Sequence, residues 1–156
     1  MQGTLICAVT DAEESEDAVA LGAELSGRLG LRLVLAHAVD GVTTLGKNDG
    51  DESITMKQSR QGAEHRLRQL AQQHGVADTA EKRVAVGEPA VLLGQIAAEE
   101  AADVIVVGAR LRGWRRRSLE SRLADELKTE TPVPVLLAPP RRRRAGNEPA
   151  MNGPPS

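Results

Sequence analysis

The strand-type segments of this chain are runs of apolar residues rather than apolar–polar alternations, and segments of helical period separate them. Leu5-Ile-Cys-Ala-Val9, Leu33-Val-Leu-Ala36 and Val104-Ile-Val-Val107 show the pattern most clearly. A strand that is apolar on both sides must be covered on both faces. Strand and helix in alternation supply that cover through crossover connections, which make the strands parallel. The chain therefore reads as an α/β protein with a parallel sheet between two helical layers, and the right-handedness of crossovers leaves few ways to wind it.

Five strands are expected, over residues 4–10, 31–39, 82–86, 103–107 and 133–138. The first intervening helix covers 15–29, with Ala18, Leu21, Leu25 and Leu29 at helical spacing, acidic residues in its first turn and Gly30 as its stop. The second covers 53–74, with Met56, Ala63, Leu67 and Leu70 on one side and Gly75 beyond its end. The third covers 89–101 and opens on Pro89, whose fixed φ suits a first turn. The fourth covers 118–129. Residues 40–52 read as a polar surface loop. The single domain spans 1–140; residues 141–156, rich in Arg, Gly, Asn and Pro without an apolar period, read as a disordered tail.

Composition narrows the function. The chain has 156 residues, one Trp and no Phe or Tyr, so its core is aliphatic and a base-stacking nucleic-acid surface is not expected. Cys7 is the lone cysteine and sits in an apolar strand, which excludes a disulfide framework and favours a buried, inert thiol. His65 and His74 have no partner at ligand spacing, so no metal site is expected. No run approaches the roughly 20 apolar residues that span a bilayer, and the N-terminus lacks a signal-peptide pattern; a cytoplasmic protein without a membrane partner is expected. The net charge of −2 hides a segregation: residues 105–144 hold 11 Lys/Arg against 4 Asp/Glu, and the remainder is acidic.

Ligands of open parallel sheets lie beyond the carboxyl ends of the strands, at the point where the winding reverses. The strand-end residues here are Asp11, Ala38, Gly87 and Gly108. After Gly108 comes a loop loaded with arginine (Arg110, Arg112, Arg115, Arg116, Arg117) and leading to Arg122, with a single further glycine, Gly113. These guanidinium groups either serve as anion ligands in place of glycine amides, or present a patch to an acidic partner, or stay solvated against an acidic surface. Asp11 is a candidate ribose ligand or a helix-capping aspartate, and His37 reads as a packed histidine. No Ser–His–Asp or Cys–His set and no paired carboxylates stand out, so catalysis is not expected.

Four segments resemble the universal stress protein family: Leu5-Ile-Cys-Ala-Val-Thr-Asp11 with the acidic stretch after it, Leu33-Val-Leu-Ala-His-Ala-Val39, Val86-Gly-Glu-Pro-Ala90, and Ala101-Ala-Asp-Val-Ile-Val-Val-Gly-Ala-Arg110 taken with Thr131-Pro-Val-Pro-Val-Leu-Leu137. The resemblance implies a three-layer, Rossmann-like sandwich with a five-stranded parallel sheet, of the kind shared with adenine-nucleotide α-hydrolases. It also implies a nucleotide signature of Gly, two residues, Gly, nine residues, Gly, then Ser or Thr. Its first glycine falls on Gly108, but the others fall on Leu111 and Ser121 and the hydroxyl residue on Arg122. A leucine brings a Cβ where backbone must approach phosphate. The family aspartate corresponds to Asp11 or, without a gap, to Thr10. The candidate nucleotide contacts are Val9, Thr10, Asp11, Ala38, Val107, Gly108, Arg110, Gly113, Ser121, Arg122 and Leu123.

The expectation is a regulatory or stress-response protein that acts by association, with no cofactor and no tight ATP binding. The alternative is an ATP- or AMP-binding member whose Arg-rich loop replaces the glycines. A polyanion-binding module is a third reading. A homodimer is expected through residues 132–138, with Val133, Val135 and Leu137 at the interface, together with an unidentified protein partner.

Overall fold

The computed structural model describes residues 2–10, 14–39, 52–108 and 119–140. Its elements run β1 (Thr4–Val9), α1 (Glu14–Leu29), β2 (Arg32–Val39), α2 (Glu52–Gln73), β3 (Glu81–Val86), α3 (Pro89–Glu99), β4 (Val104–Gly108), α4 (Leu119–Glu130) and β5 (Val135–Ala138). All pairings are parallel and the order across the sheet is β3-β2-β1-β4-β5. Winding proceeds from β1 to β3 in one direction, then returns past β1 to β4 and β5, so it reverses between β1 and β4.

Each face of the sheet has its own apolar cluster. Leu5, Cys7 and Val9 of β1 pack with Leu33 and Leu35 under Ala18 and Val19 of α1 and Leu67, Leu70 and Ala71 of α2. Ile6 and Ala8 face the other way, with Val34, Ala36 and Ala38, under Leu93 and Ile96 of α3 and Leu123, Ala124 and Leu127 of α4. Residues 5–9 are all essentially inaccessible, which accounts for a strand without polar alternation. α1 lies very close to β1. A Cβ on Gly22 would collide with Cys7 Sγ, and Cys7 donates its S–H to the Ala18 carbonyl at 3.4 Å.

Three helices stop by one device. Leu31 N–H donates to Ser26 O, Val76 N–H to Ala71 O and Ala102 N–H to Ala97 O, each spanning five residues backward. These bonds require a left-handed residue just past the helix. Gly30 and Gly75 supply it as the sequence suggests, with φ of 68° and 72°; after α3 the position is Ala101, at φ 52°. The helix read as reaching residue 101 therefore ends at Glu99. Leu29 also departs from its reading as a core position and is 65% exposed, because the turn at Gly30 sends Leu31 back against the sheet instead.

At the amino-terminal end of the sheet, side chains tie elements together. Asp103 Oδ2 accepts from Thr4 N–H at 2.9 Å, and Thr4 O accepts from Asp103 N–H. Arg32 reaches Glu81 and Glu100, each at 2.8 Å, and Arg83 reaches Glu99 and Glu100, each at 2.7 Å. Glu100, shared by both guanidinium groups, is held below the usual carboxylate range by the hydrogen bond from Arg32 first and that from Arg83 second. This network joins β2, β3 and the end of α3.

Candidate functional site

The winding reversal places the candidate cleft beyond the carboxyl ends of β1 and β4, with β2 flanking β1. Val9, the last residue of β1, is level with His37 of β2, and Thr10 and Ala38 follow this pair. Gly108 closes β4 level with Ala138. Val9 belongs to the cluster under α1 and α2, whereas Ala38, Val107 and Leu123 belong to the one under α3 and α4. The strand ends thus bring Val9, Ala38 and Val107 to one rim of the sheet from both of its faces, and Leu123 joins the cluster of Ala38 and Val107 from α4. Arg122 is exposed on α4, beside the buried Leu123. Ser121 lies in the same helix. Asp11, Arg110 and Gly113, with Leu111 and the whole of the Arg-rich loop, lie outside the described residues, as do the acidic residue Glu13 and the tail from 141.

Thr10 is the best-defined polar point of this rim. Its N–H donates to Ser15 Oγ at 2.7 Å, the two hydroxyls lie 3.2 Å apart, and the Thr10 carbonyl accepts from Arg66 Nε at 2.9 Å. Ser15 is completely buried at the start of α1. Arg66 comes from α2, so it fastens the second helix to the end of the first strand. A buried hydroxyl and a guanidinium therefore fix the main chain where β1 turns toward α1. Neither residue was singled out in the sequence. Ser15 is masked by its acidic neighbours Glu14 and Glu16. Arg66 precedes Leu67 and lies one helical turn before Leu70, a placement that hints at a cation beside a buried face.

Other candidates are placed as follows. His37 is buried inside β2, His65 is exposed on α2 and His74 is half-buried just past that helix. Among the described residues no group of three or more His, Cys, Asp or Glu side chains could hold a metal ion. Cys7 is sealed in the core, and burial pushes its thiol far above the usual range. Val133 and Val135 turn partly inward against the cluster under α3 and α4, while Leu136 and Leu137 of β5 are 41% and 44% exposed at the sheet edge. No described helix is long and apolar enough to cross a membrane. The described rim offers small and apolar side chains, a fixed main chain and a cation nearby, a set suited to holding a ligand.

The sequence matches the universal stress protein family over residues 1–139. The chain belongs to this family. No curated protein matches it. Among solved structures it is similar to the universal stress protein UspA from Lactobacillus plantarum, with 16% identity and a TM-score of 0.69 over 88% of this chain and 99% of that one. It is likewise similar to a family member from Burkholderia pseudomallei, with 21% identity and a TM-score of 0.65 over 86% and 94%. A third similar structure is the universal stress protein from Archaeoglobus fulgidus in complex with dAMP, with 20% identity and a TM-score of 0.58 over 86% and 96%. The five-stranded parallel α/β architecture expected from the sequence is the fold of this universal stress protein.

Proposed function

We propose that this universal stress protein acts in the cytoplasm by association rather than by catalysis, and that its cleft holds adenine nucleotides only weakly. The observation that carries this reading is Arg122. The position that the family signature gives to a small hydroxyl residue bears a long, charged, exposed side chain directly before the buried Leu123. With Leu111 and Ser121 also replacing glycines, backbone amides at Gly108 remain, and side-chain cations must supply the rest of any phosphate binding. Each such charge-assisted contact contributes about 1.5–3 kcal/mol, too little to restore a full cradle. Titration calorimetry with ATP is expected to give a Kd weaker than about 100 μM. Low-micromolar binding would overturn the reading. The triple variant Leu111→Gly, Ser121→Gly, Arg122→Ser is expected to tighten binding; no gain would mean that the signature is not what weakens it.

A second reading has support of its own. A family relative has been solved with dAMP and another with cAMP, and Arg122 is an exposed cation of the kind that binds a phosphate in place of amides. On this reading Arg122→Ser alone weakens nucleotide binding, whereas on the first it strengthens binding or leaves it unchanged.

For assembly, we infer a homodimer formed by edge-to-edge contact of β5. Leu136 and Leu137 are exposed at consecutive positions of an edge strand, one toward each face of the sheet, and an uncovered apolar edge invites pairing with a second copy. Sedimentation is expected to show a dimer at micromolar concentration that Leu137→Lys dissociates. A monomeric wild-type protein would overturn this.

A further inference from the structure

The opposite edge of the sheet, at β3, carries a second feature unconnected with the nucleotide cleft. β3 is hydrogen-bonded to β2 and, among the described residues, has no strand on its other side. Gly87 N–H, one residue beyond β3, donates to Val39 O, so odd-numbered positions turn their main-chain groups toward β2. In a parallel strand the direction alternates with each residue, which turns the N–H and C=O of Lys82, Val84 and Val86 toward the open edge. Arg60 confirms the direction independently: its Nη1 donates to Val84 O at 3.2 Å. A guanidinium thus caps a strand carbonyl that another strand would otherwise take.

Beside this edge is a groove of about 320 Å³ lined by Arg60, Glu64, Arg68, Lys82 and Val84. Arg60, Glu64 and Arg68 follow one another at four-residue steps along α2, which puts them on one side of the helix. Three cations therefore surround one carboxylate. All four charged side chains are exposed, and neither Glu64 nor Arg68 has an ion-pair partner among the described residues.

We propose that the β3 edge is a docking site for an acidic peptide segment of a partner protein, which adds to the sheet as an extended strand. Main-chain groups of Val84 and Val86 would pair with the segment, while Arg60, Arg68 and Lys82 take its carboxylates. The row of open main-chain groups favours a peptide over a small anion, which would satisfy the cations but leave the row unpaired. Arg60 makes the exchange balanced: an incoming N–H replaces its bond to Val84 O and releases the guanidinium to a carboxylate of the same segment.

The test uses the full chain and a fluorescent peptide alternating Glu with Val, with a Lys-for-Glu peptide as control. The acidic peptide is expected to bind and the basic one not to bind. Amide hydrogen exchange at Val84 and Val86 should slow when the acidic peptide is present. Arg60→Glu with Arg68→Glu is expected to weaken binding about tenfold or more. Arg68→Glu alone, which removes no bond among the described residues, should weaken it less and leave the melting temperature unchanged. Absence of binding at about 1 mM peptide would overturn the proposal. Binding that leaves exchange at Val84 and Val86 unaltered, or that inorganic phosphate abolishes at matched ionic strength, would overturn it in favour of a simple anion site.

Discussion

Around Arg32 and Glu100, at the amino-terminal end of the sheet, charge is met by charge. Two guanidinium groups share three carboxylates, and Asp103 holds the first strand by its main chain. Around Thr10, Ala38 and Gly108, at the carboxyl end, the side chains are small or apolar, and Arg66 donates to a main-chain carbonyl. The difference teaches where this protein can afford substitution. The amino-terminal end joins elements far apart in sequence and leaves little polar capacity over. The carboxyl end instead fixes the main chain of Thr10, at the end of the sheet where parallel sheets take ligands.

The sharpest way to break this contrast is Asp103→Ala, which strips the acceptor from the N–H of the buried Thr4. A loss of about 2 kcal/mol is expected, equivalent to a melting temperature lower by about 4–8 °C in a domain of this size, with weak ATP binding unaltered. A changed nucleotide affinity would show that the two ends communicate. At the other end, Ser15→Ala removes the acceptor of Thr10 N–H from a fully buried position. We expect about 1.5 kcal/mol of destabilisation together with a measurable change in nucleotide affinity by calorimetry. An unaltered affinity would detach Thr10 from the ligand site.

Glu100→Gln probes the ion network more gently and is expected to cost about 1 kcal/mol at neutral pH, since its partners are about one-third exposed. The carboxyl titrates lower in the folded chain than in the unfolded one. Its contribution is therefore complete above the ordinary glutamate range near 4.3. It is lost as pH falls through the depressed value, so wild type and variant should converge in stability on acidification. A constant gap down to pH 3 would assign the cost to packing. The smallest expected effect is a gain. Ala101→Gly should raise stability by about 0.5–1 kcal/mol by relieving a left-handed alanine, and an unchanged or lower melting temperature would contradict that.

The strands and the stops at Gly30 and Gly75 were legible because their signals are local: an apolar run, or a glycine at the end of a helical period. Ala101 gave no such signal, since its left-handed turn is imposed by the carbonyls of Ala97 and Ala98 and not by its own side chain. Leu29 fitted the period of α1 but lies where the helix has passed the sheet. In the candidate site, the positions of Val9, Ala38 and Val107 at the rim were legible because strand ends follow from the topology, and that of Leu123 because it lies in the helix that follows β4. Those of Arg66 and Ser15 were not, because both act on the main chain of Thr10, and Arg66 does so across 56 positions of sequence.

One consequence of the fit between α1 and β1 concerns kinetics. Cys7 lies directly under Gly22, wholly shielded, with burial suppressing its thiolate. An alkylating reagent cannot reach this sulfur unless the helix lifts from the central strand, and lifting it opens the middle of the sheet. The native thiol is thus a clock that runs only while the molecule is open. With reagent in excess, fast enough to trap each opening, the labelling rate equals the opening rate of the core. Events confined to the strand ends or to the β3 edge would leave that clock unchanged.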